Sequence, residues 1–211
     1  MRNWLKSAAY LIAIATVSIA MASSYVQFFR ALDIDDAGTV AQLLSRGFDP
    51  NAANEKGDLA LVLALRDGSP KVAEVLLAHP DLKVDAVNGA DETALMMAAL
   101  RGHLAAAQRL LERGAAVNRP GWTPLHYAAS GTEPRMVALL LDRGARIDAP
   151  APNGNTPLMM AARYGAQEVA ELLLARGAAV APRNRNGLGA ADFARAVDRE
   201  RLAQRLEQAA R

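Results

Sequence analysis

At 211 residues without a single cysteine, the chain has no disulfide, thiolate nucleophile or cysteine-held metal available to it. Hydrophobic residues make up 52% but aromatics only 5%, an apolar mass of Ala, Leu and Val that suits closely packed short helices better than a β-sandwich. Lys and Arg number 24 against 22 Asp and Glu; without Arg2 and Lys6 the remainder is formally neutral, which lacks the basic surplus of a nucleic-acid binder.

Arg2 and Lys6 precede an uncharged apolar run from Ala8 to Ala22 that closes on Ala20-Met21-Ala22. Small residues at −3 and −1 suit signal peptidase, so residues 1–22 read as a signal peptide cleaved between Ala22 and Ser23. The run is about 15 residues long, where a membrane span takes about 20. Continued through Tyr25 and Val26 it becomes a marginal span, and an uncleaved inner-membrane anchor is the alternative. Either reading places residues 23–211 outside the cytoplasm, in a bacterial periplasm. The arginine-rich, lysine-poor balance fits a GC-rich bacterial genome.

From residue 25 onward a pattern of about 33 residues recurs. The first unit carries Phe28, then Leu43-Leu44-Ser45-Arg46-Gly47 and Asp49-Pro50-Asn51. The second reads Gly57-Asp58-Leu59-Ala60-Leu61 and ends His79-Pro80-Asp81-Leu82, with one residue inserted. Three regular units follow. They open Thr93-Ala94-Leu95-Met96-Met97-Ala98-Ala99, Thr123-Pro124-Leu125-His126-Tyr127-Ala128-Ala129 and Thr156-Pro157-Leu158-Met159-Met160-Ala161-Ala162. Each runs on into a Leu-rich helix and a Gly-Ala pair, at Gly114, Gly144 and Gly177. The last unit reads Gly187-Leu188-Gly189-Ala190-Ala191-Asp192 and ends in a charged helix expected over Asp198 to Glu207. Equivalent positions are Phe28, Leu61, Leu95, Leu125, Leu158 and Ala191, with one short step between Leu95 and Leu125.

Local chemistry agrees with the pattern. Thr93, Thr123 and Thr156 stand where a hydroxyl caps a helix, and Pro124 and Pro157 occupy first turns that need no N–H. Leu59 replaces the capping Thr in the second unit. The paired alanines let successive helices approach closely, and Gly114, Gly144 and Gly177 follow second helices where φ > 0 ends them.

The T-P-L-H-x-A motif at this period resembles the ankyrin repeat. The resemblance covers residues 25–211 and implies an all-α repeat solenoid: helix-turn-helix units with hairpin fingers, in one domain over 23–211. Six units are expected, with atypical first and last units as caps. The resemblance further implies a concave binding surface of finger tips and exposed first-helix positions. The tips map to Glu55, Lys56, Asp58, Gly89, Ala90, Glu92, Arg119, Trp122, Pro152, Asn153, Asn155, Arg185 and Asn186. The partner-binding set expected from tips and inner helices is Arg66, Asp67, Leu100, Arg101, Trp122, Ser130, Asn153, Asn155, Arg163 and Tyr164. Its mixed charge and aromatics suit a protein partner better than a phosphate backbone. Trp122 reads either as an interface anchor or as a ring folded over the neighbouring hairpin. The short step reads either as a notch in the row of fingers or as neutral loop drift.

No catalytic constellation stands out. His79, His103 and His126 fall in different units, none with a second His or a carboxylate at metal-binding spacing. His126 occupies the motif His, which the resemblance makes structural, and His103 is read the same way. Asp49, Asp85, Asn118 and Asp148 recur as turn formers. Met96-Met97 and Met159-Met160 read as core-lining pairs, and the tail arginines (Arg195, Arg199, Arg201, Arg205, Arg211) as a solvated capping face. The expectation is a monomeric, non-catalytic module without metal or cofactor. It binds a protein, such as a secreted effector or a stress-defence enzyme, and neither nucleic acid nor, after cleavage, membrane.

Overall fold

The computed structural model describes residues 23–210. The expected signal peptide and its cleavage site lie outside the described residues. No helix among the described residues is long and apolar enough to cross a membrane. The described residues form two compact units that divide between Leu82 and Lys83. The boundary falls on the degenerate His79-Pro80-Asp81-Leu82 junction.

In the first unit, helices α1 (residues 23–33) and α2 (Ala37–Ser45) are followed by α3 (Ala60–Asp67) and α4 (Pro70–Ala78). Phe28 is fully buried and stacks on Phe48 at a centroid distance of 4.4 Å, so a ring fills the position that Leu holds elsewhere. The two repeats are tied by hydrogen bonds as well as by packing. The Ser69 hydroxyl donates to the Leu32 carbonyl at 2.7 Å, the Val72 N–H to Asp35 at 2.9 Å, and the Tyr25 hydroxyl to the Ala53 carbonyl at 3.0 Å. Leu59 leaves α3 without a side-chain cap.

The second unit runs α5 (Ala94–Arg101), α6 (Leu104–Glu112), α7 (Pro124–Ser130), α8 (Pro134–Asp142), α9 (Pro157–Arg163), α10 (Gln167–Ala175), α11 (Ala190–Arg195) and α12 (Glu200–Ala209). The charged last helix thus lies two residues later than expected. First helices stack in order, α5 on α7, α7 on α9 and α9 on α11, each with its own second helix behind it. The paired alanines from Ala98 to Ala162 are all buried at these contacts, where a larger side chain would hold the helices apart. Leu110, Leu140 and Leu173 are fully buried on the second helices. Gly114, Gly144 and Gly177 take φ of 88°, 85° and 89°, and the next N–H returns to the second-helix carbonyl five positions back in the manner of a Schellman end.

Helix caps show what the motif His does. Thr93 and Thr156 accept from the Met96 and Met159 N–H at 3.3 and 3.4 Å, while the sulfurs of those methionines accept from the threonine N–H groups. This is a capping box with a thioether in place of the usual Glu or Gln. Thr123 differs from its expectation: its hydroxyl faces His126 Nδ1 at 2.9 Å instead of capping the backbone. His126 Nδ1 also takes the Thr123 N–H, and its Nε2 lies 3.1 Å from the Asn155 carbonyl in the next finger. A methionine performs the first task and has no atom for the second.

Three further expectations change. Asp85, Asn118 and Asp148 are not merely local turn formers, because each reaches the following repeat. Asp85 accepts from the Ala116 N–H and Asp148 from the Ala179 N–H, both at 2.9 Å. Asn118 accepts from the Arg146 N–H and donates to the Gly144 carbonyl. Asp49 alone keeps the local role, accepting from the Asn51 N–H at 2.8 Å. The tail arginines are not uniformly solvated: Arg199 donates to the Gly165 carbonyl at 2.6 Å and to those of Ala161 and Ala162, satisfying the end of α9. Met160 is half-buried instead of core-lining.

Candidate functional site

Two fingers close with isolated antiparallel bridges, Ala53 to Leu59 and Val87 to Thr93. In each an asparagine, Asn54 or Asn88, takes two N–H groups of its own turn on its side-chain oxygen, and Asn184 does the same in the last finger. The finger between α6 and α7 has no such asparagine and no bridge, and this is where the short step removes residues. Arg119 anchors what remains by donating to the Asp91 carbonyl and carboxylate at 2.6 and 2.7 Å. The chain therefore arrives at α7 low on the helix, and Trp122 lies beside its first turn, edge-on to His126 with centroids 5.3 Å apart.

The result, in the second unit, is a groove of about 360 Å³ lined by Leu100, Trp122, His126, Tyr127, Ser130, Met160 and Tyr164. His126 and Ser130 stand four residues apart along one stripe of α7, Trp122 precedes that helix's N-cap Thr123, and Met160 and the C-cap Tyr164 are likewise four apart at α9. Four of the ten expected contact residues meet here: Leu100, Trp122, Ser130 and Tyr164. Trp122 is half-buried, with its ring in the groove wall. Tyr164 is 56% exposed. Arg163, also exposed, holds its guanidinium 5.3 Å from the Tyr164 centroid and 5.9 Å from that of Phe193. Arg101 follows Leu100 and is exposed.

The polar groups of the lining are engaged. Ser130 donates to the His126 carbonyl at 2.9 Å, and the Tyr127 hydroxyl donates to Glu92 at 3.1 Å. Burial and the Glu92 charge push the Tyr127 phenol well above its ordinary range, so it stays a neutral donor. Burial pulls the His126 imidazole below its usual value, which keeps it neutral between Thr123 and Asn155.

The other expected contacts lie elsewhere. Asn155 is a correction: it is 6% exposed and structural. Its carbonyl meets His126 and its side-chain oxygen takes the Asn184 amide at 2.9 Å, linking successive fingers. Asn153 is exposed, with its side chain accepting from the Asn155 N–H. Arg66 and Asp67 belong to a separate recess of about 540 Å³ in the first unit, walled by Tyr25, Phe29 and Asp58 among others. There Arg66 pairs with Asp67 at 3.0 Å and with Asp58 at 3.4 Å, and the Asp67 bond raises its already high pKa.

Sequence reading missed Tyr127 and Met160 in the groove. The available signal was the 100° turn between adjacent helical residues: Met159 is buried in the core and Met160 lines the groove, whereas Met96 and Met97 are both buried. Among the described residues no group of three or more His, Asp or Glu side chains is placed to hold a metal ion.

A family model described as ankyrin repeats, in three copies, matches residues 28–120 and 116–184. The nuclear factor NF-kappa-B p105 subunit of Gallus gallus is 32% identical over 149 residues, which is 67% of this chain and 15% of that protein. Neurogenic locus notch homolog protein 4 of Homo sapiens is 43% identical over 91 residues, 41% of this chain and 4% of that protein. The human SH3 and multiple ankyrin repeat domains protein 1 is 34% identical over 148 residues, covering 66% of this chain and 7% of its own length. The chain thus spans a small part of the length of these relatives.

Proposed function

The chain belongs to the ankyrin-repeat family, and from that premise we propose that it is a non-catalytic module that binds a protein partner through the groove of its second unit. Ankyrin repeats generally mediate protein–protein interaction. The observation that carries the assignment is the groove itself: Trp122 and Tyr164 offer large, part-exposed rings over a floor whose polar groups are already hydrogen-bonded. Apolar rings in a desolvated recess are where interface energy concentrates. His126 is held between Thr123 and Asn155, Asp85 and Asp148 link repeats, and Asp91, Glu133 and Asp142 form ion pairs, which supports a binding role over a catalytic one.

The site of action is the bacterial periplasm, reached through cleavage between Ala22 and Ser23, and the protein works there as a monomer. A secreted effector and a stress-defence enzyme are the partner classes that fit such a place. Val26, 65% exposed in α1 and next to the apolar run, favours a second reading in which residues 8–26 stay as an inner-membrane anchor. The intact mass of the protein in an osmotic-shock extract separates these. A chain starting at Ser23 supports export and release, and a full-length chain confined to membranes supports the anchor.

The binding proposal is tested by affinity capture from envelope extract with the full-length chain. A stoichiometric partner is expected, lost with the double substitution Trp122→Ala and Tyr164→Ala. Capture of no partner, or undiminished capture by the double variant, contradicts it.

A further inference from the structure

The ion pairs of the second unit leave an uneven distribution of charge around the groove. Arg119, Arg135, Arg176, Arg183, Arg195 and Arg205 each meet a carboxylate. Arg163 and Arg101, at the groove-side ends of α9 and α5, have none among the described residues, and both are exposed. Arg163 is held in place by its contacts with the Tyr164 and Phe193 rings, so its guanidinium stands beside the groove already oriented. Two carboxylates act on Tyr127 of the lining: Asp91 is paired with Arg119, and Glu92 is half-buried. Glu92 has one oxygen on the Tyr127 hydroxyl and the other on the Asn88 amide at 2.9 Å, so its acceptors are used within the molecule. The free charge at this groove is therefore positive, over an apolar floor of Leu100, Trp122, Met160 and Tyr164.

We propose that the groove receives an extended acidic segment of the partner, in which a large apolar side chain enters between Trp122 and Tyr164 and a neighbouring carboxylate pairs with Arg163, with Arg101 adding positive charge at the rim. This rests on the protein-binding reading above and names the chemistry it recognises. The volume supports a segment over a folded surface: about 360 Å³ is at the small end of ligand pockets, which run from about 300 to 1,000 Å³. A planar guanidinium stacked on rings and lacking a partner suits bidentate pairing with a carboxylate. Single-stranded nucleic acid would also use rings and arginines, but it needs a cationic track along its backbone, and two guanidiniums do not make one.

Selection of random 12-residue peptides displayed on phage, with the full-length chain as bait, tests this. The expected consensus is one aromatic or large aliphatic residue beside at least one Asp or Glu. The best selected peptide, made synthetically and fluorescently labelled, should bind about tenfold more weakly to Arg163→Glu, a loss that corresponds to about 1.4 kcal/mol. Its affinity should also fall as salt rises. Repeating the selection on the double variant Arg101→Glu with Arg163→Glu should yield a basic consensus, a reversal that loss of folding cannot produce. A consensus without acids, no consensus, an affinity unchanged in Arg163→Glu, or displacement of the peptide by oligo-dT overturns the proposal. If envelope capture still depends on Trp122 and Tyr164, only the acidic occupant fails. If capture fails too, the binding reading falls with it.

Discussion

His126 is the residue in which fold and site meet. Its ring is 1% exposed, with Nδ1 against Thr123, Nε2 against the Asn155 carbonyl and Trp122 edge-on above it. Protonation would put a charge into this site, which is why its pKa lies below the ordinary 6.5. The unfolded chain then binds more protons than the folded one between the folded value and 6.5, so stability is present above 6.5 and is lost as pH falls below it. Thermal unfolding at pH 7.5 and pH 5.5 should show a lower Tm at the lower pH, and the drop should shrink in His126→Gln. An equal drop in the variant would assign it to other groups. Gly165 is the second sensitive point. A Cβ there would lie 2.2 Å from the Ala129 carbonyl oxygen, so Gly165→Ala should destabilise by about 1–3 kcal/mol in urea unfolding. Gly114 has open space around the corresponding point, and the strain of an Ala there would come only from its positive φ.

At the scale of elements, the repeats hold each other by two means that differ in how readily a sequence reveals them. The apolar contacts follow from spacing alone: a Leu or its substitute every 33 residues or so, and alanine pairs where helices meet. Leu140 is fully buried in the middle of the second unit, and Leu140→Ala should lose about 2–5 kcal/mol in denaturant unfolding. A change no larger than that of surface variants would contradict the repeat register. The polar links were not legible, because a side chain that closes its own turn and one that reaches the next repeat are the same residue types in the same place. Asn118 shows the difference, accepting from Arg146 and donating to Gly144 across the repeat. Asn118→Ala should cost about 1 kcal/mol, with double-mutant coupling to changes at the Gly144 loop and little to changes within its own turn. Asn155 was misread for the same reason. Its place at a finger tip suggested exposure, but its side chain is covered and accepts from the Asn184 amide of the following finger.

For the whole molecule, the family and the all-helical repeat architecture could be read from the period, and the groove could be read only in part. Trp122, Leu100, Ser130 and Tyr164 were found from their place in the repeat. Tyr127 and Met160 were not, since their direction depends on the rotation of short helices. The degenerate residues 79–82 mark the boundary between two compact units, which a reading based on period alone counts as a single domain. The proposed binding site thus lies where the repeat is irregular: the shortened finger precedes α7, and Trp122 lies beside His126 in the groove lining. Restoring the three missing residues between Arg119 and Trp122 should leave the helices folded by circular dichroism and weaken partner capture.

The claim that this groove is the binding site is tested most directly by site-specific photo-crosslinking in living cells. A benzophenone amino acid replaces Tyr164 in one strain and Glu112, an exposed residue on α6, in another. One discrete crosslinked protein band is expected at Tyr164, abolished by Trp122→Ala, and none at Glu112. A band at Glu112 with none at Tyr164 would contradict it and move the binding surface to the second helices.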